Sequence, residues 1–291
     1  MKIAAVQMVS ATSVERNLDA ARRLVAQAAG AGAQLVTLPE YFCLMGRADR
    51  DKLGVAEAPG DGPIQRMLSD AAREHGLWLI GGTLPIRCED PDRVLNSNCV
   101  YAPDGSLAAR YDKIHLFRFD NGRESYDEGC AIQPGDTPVA FQAGALRGPQ
   151  AAADSLRVGL SVCYDLRFPE LYRALMHPPC DLLSVPAAFT HTTGLAHWEL
   201  LLRARAVENQ CYVIAAAQGG RHENGRRTFG HSMVVDPWGK VLGVLPEGEG
   251  VVLAEVDPAR IASVRMQLPA LEHRRVPGGG LQTLTAQRPA D

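Results

Sequence analysis

The chain has 291 residues, of which 46% are hydrophobic and 22% are charged, and its formal net charge at pH 7 is −3. This length gives one large domain or two small ones, with a core large enough to form without a disulfide or a metal. The weakly acidic charge argues against nucleic acid as the main partner, and no apolar run approaches the length of a membrane span.

Strand and helix patterns alternate through the first half of the chain. Residues 2–8 and 34–38 are predicted strands, and between them a helix runs from residue 13 to about 29. A helix over residues 63–75 precedes a strand over 77–82. Residues 98–102 and 108–113 are further predicted strands, which a Pro-Asp-Gly turn joins into a hairpin.

Near the middle of the chain, two aperiodic stretches interrupt the pattern. Residues 117–136 are predicted to be a long loop, which in a compact domain usually has a function, and residues 142–154 a loop insertion. The remaining predicted elements are a strand from 155 to 162, a sharp turn at 163, a helix with Pro169 in its first turn, strands 182–186 and 212–217, a helix over 198–208, a hairpin of 232–236 with 241–244, a strand 250–256 and a helix 258–267. These elements favour one α/β domain with two sheets face to face and helices outside.

Three ionisable residues occupy equivalent places, each just after a predicted strand: Glu40, Lys113 and Cys163. Strand ends are where sites form in α/β sheets. A cysteine held at a strand-to-helix turn suits a nucleophile, with the glutamate as its base and the lysine at an oxyanion. Each residue also has a plain alternative: a buried core cysteine, a surface carboxylate or a solvated lysine.

A set of motifs in fixed order makes the chain resemble the nitrilase, or carbon–nitrogen hydrolase, superfamily. The motifs are Leu38-Pro39-Glu40-Tyr41, the run from Tyr111 to Phe117, the run from Ser161 to Glu170, His197-Trp198-Glu199 with the run from Arg203 to Asn209, and the run from Gly230 to Gly239. Each motif alone is a weak signal, but together they extend over residues 1 to about 275.

The resemblance implies a four-layer α-β-β-α sandwich and a catalytic triad of Glu40 as base, Lys113 at the oxyanion and Cys163 as nucleophile. It also implies a second glutamate, for which Glu124 and Glu128 are candidates; the family has this residue six positions before the proline of a Pro-Gly pair, here Pro134-Gly135, so the resemblance implies Glu128. No cofactor or metal is implied.

The expected substrate-binding groups follow Cys163 in the sequence. The resemblance implies the backbone N–H of Tyr164 as a second oxyanion donor. Arg167 could bind a substrate carboxylate or form a salt bridge within its helix. His115, His197 and His231 could suggest a cysteine–histidine pair, but we expect them to be structural or pocket-lining.

The nearest branch resembles the group that contains ω-amidase and deaminated-glutathione amidase. We therefore expect a thiol amidase that acts on a small carboxylate-bearing amide through a thioester; a nitrilase or a non-catalytic binding member are the alternatives. We expect a homodimer with no nucleic-acid or membrane partner. Seven cysteines without a Cys-x-x-Cys pair and no signal-peptide pattern favour the cytoplasm. We predict a hydrolase domain at residues 1–275 and a flexible tail at 276–291.

Overall fold

The computed structural model of the chain describes residues 1–122, 124–144 and 155–275. In chain order the strands are β1 (Lys2–Gln7), β2 (Leu35–Thr37), β3 (Trp78–Ile80), β4 (Leu84–Arg87), β5 (Val94–Tyr101), β6 (Leu107–Asp112), β7 (Arg118–Asp120), β8 (Ser125–Asp127), β9 (Ala140–Ala143), β10 (Leu156–Leu160), β11 (Leu182–Ser184), β12 (Tyr212–Ala215), β13 (Gly219–Arg221), β14 (Arg227–Phe229), β15 (Ser232–Val235), β16 (Val241–Leu245) and β17 (Gly250–Glu255). The α-helices are α1 (Val14–Gly30), α2 (Pro63–His75), α3 (Pro169–Ala174), α4 (His191–Asn209) and α5 (Pro258–Gln267). No helix within the described residues is both long and apolar enough to cross a membrane.

Helix boundaries follow local sequence signals. Ser13 caps α1 by accepting a hydrogen bond from the backbone of its first turn, and Thr190 caps α4 in the same way. Asp257 caps α5, which begins with a proline. Helix α2 begins at Pro63 and ends at His75, and the left-handed Gly76 that follows caps it.

Two mixed sheets hold most of the strands. The first has the order β17-β1-β2-β3-β5-β4, with β6 also paired to β5, and the second has the order β16-β15-β12-β11-β10-β9. Two small antiparallel ribbons, β7–β8 and β13–β14, lie outside them.

Strand β1 illustrates how the layers are packed. Ile3 and Ala5 belong to the core between the two sheets, whereas Ala4 and Val6 belong to the core beneath α1 and α2. Because successive strand residues point to opposite faces, a strand buried on both faces must be apolar throughout. Helix α4 covers the second sheet with side chains that include the fully buried Trp198. The predicted four-layer α-β-β-α sandwich is confirmed.

Several predicted boundaries are wrong. Residues 117–136 are not a featureless loop, since they contain β7, β8 and a short 3-10 helix. Gln142 and Ala143 belong to β9 rather than to a loop insertion. Strand β5 begins at Val94 and helix α4 begins at His191, each several residues before its predicted start. The segment after Cys163 is a short 3-10 helix followed by α3, which does begin at Pro169.

The sequence reasoning missed β4, β13 and β14 altogether. Residues 145–154 of the predicted insertion, and the predicted tail at 276–291, lie outside the described residues.

The topology brings three strand ends to one edge. Strand β5 is antiparallel to both β3 and β6, and β3 is parallel to β2, so β2 and β6 run in the same direction. Glu40 follows β2 and Lys113 follows β6 at that edge of the first sheet. Cys163 follows β10 of the second sheet. The site therefore lies where the two sheets face each other.

Candidate active site

The backbone around Glu40 is closely packed. Tyr41 has a left-handed φ of 56°, and Gly82 on the neighbouring segment has a φ of 62°. A Cβ at Gly82 would lie 2.1 Å from the carbonyl oxygen of Pro39, so this approach requires glycine. The side-chain amide of Gln218 donates to the Glu40 carbonyl at 3.1 Å. This hydrogen bond joins the segment that follows β12 of the second sheet to the segment of Glu40.

Cys163 lies on a sharp elbow that its neighbours hold in place. Its φ of 48° is left-handed, and its N–H donates to the Pro186 carbonyl at 2.9 Å. The fully buried Asp165 carboxylate accepts from the Val162 N–H at 2.8 Å and from the Tyr111 hydroxyl at 2.7 Å. An uncommon left-handed cysteine is thus maintained by hydrogen bonds on both sides of it.

Lys113 lies between two carboxylates. Its Nζ is 2.8 Å from Glu40 Oε1, and 2.9 and 2.8 Å from the two oxygens of Glu128. The Cys163 thiol is adjacent to Glu40, and each group influences the other's pKa. All four side chains are buried, with Glu40 and Lys113 each only 1% exposed. The structure therefore brings together the four residues that the sequence singled out.

Glu40 has two further donors that the sequence did not indicate. Asn96 Nδ2 donates to Oε1 at 3.1 Å, and the Ala188 N–H donates to Oε2 at 3.0 Å. Asn96 lies on β5, two residues before the predicted start of that strand at Asn98. Because alternate residues of a strand point to the same face, Asn96 and Asn98 share a face, and this periodicity was the signal that could have identified Asn96. A backbone donor such as that of Ala188 has no sequence signature.

The protonation states of Cys163 and Glu40 follow from burial. Burial raises the pKa of the Cys163 thiol well above its usual value, and the Glu40 carboxylate raises it further. Burial also raises the pKa of Glu40, with Lys113 opposing this rise and Glu128 adding to it. The resting site therefore holds a neutral thiol beside a carboxylate of increased basicity, rather than a preformed thiolate.

Lys113 and Glu128 form the charged pair of the site. Burial alone would lower the pKa of Lys113, but Glu128 and Glu40 outweigh burial and keep it well above its usual value. Burial alone would raise the pKa of Glu128, but Lys113, the Phe117 N–H and the Tyr41 hydroxyl outweigh it and lower the pKa. An ammonium and a carboxylate therefore coexist in the buried site.

A small, partly open pocket leads to the Cys163 sulfur. Its walls are formed by Phe117, Cys163, Tyr164, Arg167, Ala188, Phe189, Thr190 and Thr193. The Tyr164 N–H has no hydrogen-bond acceptor among the described residues, so it is available to an oxygen bound beside the sulfur.

Arg167 lies on the wall of this pocket. Its guanidinium carbon is 5.7 Å from the Tyr164 ring centre and 5.3 Å from that of Phe189, and its Nη1 is 3.1 Å from His197 Nδ1. No described carboxylate forms an ion pair with Arg167, so the alternative of a salt bridge within its helix is not formed there. A cation stacked on aromatic rings at the pocket wall is suited to an anionic ligand group.

The other candidates lie elsewhere. Glu124 accepts a hydrogen bond from Thr192 Oγ1 at 2.9 Å, whereas Glu128 Oε2 accepts one from Lys113 Nζ at 2.8 Å. His115 Nδ1 is 2.7 Å from Asp165 Oδ1, and His231 Nδ1 is 2.9 Å from the Phe229 carbonyl oxygen. Within the described residues, no group of three or more potential ligand side chains could hold a metal ion.

The chain that carries this buried cluster matches the sequence profile of a known family. The sequence profile of the carbon–nitrogen hydrolase family matches residues 2–266. The chain belongs to this family. It is a carbon–nitrogen hydrolase of the amidase type, acting on a small molecule.

Curated relatives and solved structures support this assignment. The chain is 40% identical to the deaminated glutathione amidase of Yersinia enterocolitica over 94% of this chain and 92% of that protein. It is 38% identical to the human deaminated glutathione amidase over 94% of this chain and 82% of that protein. Nit3 of Saccharomyces cerevisiae, described as a member of branch 10 of the nitrilase superfamily, superposes with a TM-score of 0.81 at 30% identity, covering 95% of this chain and 97% of that one.

Proposed function

We propose that this hydrolase cleaves an amide whose acyl half carries a carboxylate, with deaminated glutathione or the ω-amide of an α-keto acid as its substrate. The observation that carries the proposal is Arg167, which lies beside Cys163 on the pocket wall without a described carboxylate partner. Deaminated glutathione and the ω-amide of α-ketoglutarate have the same acyl group, whose free carboxylate Arg167 would bind. The names of the curated relatives support the same substrate class.

In the proposed acylation step, Cys163 attacks the amide carbon. The thiol proton passes to Glu40 as the carbon–sulfur bond forms, which fits a neutral thiol next to a basic carboxylate. The electron pair of the carbonyl moves to its oxygen, which the Lys113 ammonium and the Tyr164 N–H stabilise. The carbon–nitrogen bond then breaks, and the departing nitrogen takes the proton from Glu40.

In the proposed deacylation step, water attacks the thioester. Glu40 accepts a proton from this water, the carbon–sulfur bond breaks, and the sulfur takes the proton back as a thiol. Glu128 contributes by its negative charge, which maintains Lys113 as an ammonium throughout. The products are α-ketoglutarate and an amine: a dipeptide from deaminated glutathione or ammonia from the ω-amide.

A substrate panel tests this proposal. We expect α-ketoglutarate release from both carboxylate-bearing amides, and none from Cys163→Ala protein with an unchanged circular dichroism spectrum. Turnover by Cys163→Ala would contradict the role of the nucleophile. Preference for an uncharged nitrile would favour a nitrilase, and a folded wild-type protein inactive on the whole panel would favour a non-catalytic binding member.

We further propose a homodimer in the cytoplasm, with residues 1–275 as one domain and 276–291 as a flexible tail. Exposed apolar side chains on α4, at Leu195, Leu200 and Val207, support self-association. Seven cysteines without a disulfide support a reducing compartment. We expect no nucleic-acid or membrane partner. Light scattering after size exclusion should give twice the chain mass, and a monomer would contradict the dimer.

A further inference from the structure

The Glu128 carboxylate is saturated with donors. Oε1 accepts from the Tyr41 hydroxyl at 2.6 Å and from Lys113 at 2.9 Å. Oε2 accepts from the Phe117 N–H at 2.7 Å and from Lys113 at 2.8 Å. A carboxylate that accepts four hydrogen bonds from three donor groups is held as an anion in one orientation, because each donor favours its charged form.

Among these donors, Tyr41 has a special position. The Phe117 N–H lies in the same segment of chain as Glu128, so it can follow any movement of that segment. Tyr41 instead comes from the segment of Glu40. Consecutive side chains of an extended strand point to opposite faces, and the left-handed φ of 56° at Tyr41 allows residues 40 and 41 to reach the same cluster.

The Tyr41 side chain is itself held in place. Its backbone N–H donates to the fully buried Thr83 Oγ1 at 2.9 Å, which fixes the unusual backbone conformation. The Lys52 ammonium lies 5.2 Å from the centre of its ring. The phenol therefore approaches Glu128 from a rigid support.

We propose that Tyr41 is a positioning residue, whose hydroxyl locks Glu128 against Lys113 and so fixes the ammonium at the oxyanion site. The proposal rests on the proposed function, in which Lys113 stabilises the developing oxyanion. Without the phenol, Glu128 Oε1 keeps only Lys113 as a donor, and the carboxylate can rotate and pull the ammonium away. The loss then falls on the transition state, since no substrate atom contacts Tyr41 in this scheme.

The same geometry predicts a change in pH dependence. Glu40 and Glu128 share one ammonium and titrate as a coupled pair. Removing a donor from either carboxylate disfavours the doubly ionised pair, so the pair takes up its first proton at a higher pH. The titratable and charged groups that face Tyr41 and Glu128 are Glu40, Lys52, Lys113, Cys163 and Arg226.

The test is Tyr41→Phe, assayed for α-ketoglutarate release from the amide that the wild-type enzyme turns over. We expect kcat to fall by about 10-fold, the loss of one hydrogen bond to a charged group, while KM stays within about 2-fold. We also expect the acid limb of the kcat profile to move to higher pH. Tyr172→Phe is the matched control, because its hydroxyl also donates one buried hydrogen bond, to Ser161 Oγ at 2.8 Å, away from Glu128. We expect this control to leave the acid limb in place.

A purely structural tyrosine would give a different result. Wild-type kcat and an unmoved acid limb in Tyr41→Phe, with or without a lower melting temperature, would overturn the proposal. If Tyr41→Phe does not fold, a fluorotyrosine at position 41 replaces it: its more acidic hydroxyl should move the acid limb to lower pH, and no movement would overturn the proposal. Inactive wild-type protein would instead refute the proposed function.

Discussion

Replacing Lys113 with methionine should destabilise the fold strongly. The Lys113 side chain is fully buried, and its ammonium makes three contacts of 2.8–2.9 Å with two carboxylates. Methionine preserves most of the chain length but leaves Glu40 and Glu128 without their cation. Breaking a buried ion pair by removing one partner costs about 3–5 kcal/mol, because an uncompensated charge stays in the interior. We expect this loss in the free energy of unfolding at pH 8.

The loss should shrink as the pH falls. Without Lys113, only neutral hydrogen-bond donors oppose the effect of burial on Glu40 and Glu128, so the pKa of the pair rises above that of carboxyls in the unfolded chain. The native state then binds more protons than the unfolded state, and stability declines with rising pH between the unfolded and the folded pKa. One proton difference corresponds to about 1.4 kcal/mol per pH unit. The variant should therefore approach the wild type in acid.

Urea unfolding at several pH values, at one protein concentration, measures this effect. Lys240→Met is the control, because Lys240 is exposed and its replacement should change stability by less than about 0.5 kcal/mol. A loss below about 1 kcal/mol at pH 8 would refute the reasoning, since it would mean that the two carboxylates are readily hydrated or neutralised. A loss that does not depend on pH would do the same.

Two further substitutions test the pocket and its support. Arg167→Ala should lower kcat/KM for the carboxylate-bearing amide by about 10–100-fold, because it removes a hydrogen bond to a charged group. The kcat/KM for a neutral amide of similar size should hardly change, and equal losses on both substrates would argue against carboxylate binding. Gly82→Ala should destabilise the protein and reduce activity, because its Cβ would lie 2.1 Å from the Pro39 carbonyl oxygen, next to Glu40. Gly76 is the control, because its φ of 61° is nearly that of Gly82 but no atom lies within 4 Å of an added Cβ. Gly76→Ala should therefore show only the cost of a left-handed alanine, about 1 kcal/mol. Similar thermal midpoints for the two variants would contradict the predicted clash at Gly82.

The sequence predicted the layers well because they depend on local patterns. A strand such as β1, which is apolar on both faces, indicates a sheet that is covered on both sides, and capped amphipathic stretches indicate the helices around it. The short antiparallel ribbons were not predicted, because their local sequence patterns are weak. Strands β7 and β8 have three residues each and mixed exposure, so alternation is hardly detectable within them.

The site was predictable where chemistry resides in motifs. Glu40, Lys113 and Cys163 each follow a strand, and Pro134-Gly135 selected Glu128 over Glu124. The hydrogen bonds that hold these side chains in place were not predictable, because they join segments that are far apart in the chain. Asn96 and Ala188 reach Glu40 across 56 and 148 residues. The neutral resting thiol likewise depends on burial, which no motif encodes.

Because the cluster lies between the two sheets, activity should depend on how completely the chain has folded. Glu40 and Lys113 follow strands of the first sheet and Cys163 follows a strand of the second, and the Gln218 amide donates to the Glu40 carbonyl between them. In the proposed mechanism the groups needed for catalysis are divided between the two sheets, so a chain whose second sheet has not docked on the first should be inactive. Amide hydrolysis should therefore report complete assembly of the fold, which includes the pairing of the last strand, β17, with the first, β1.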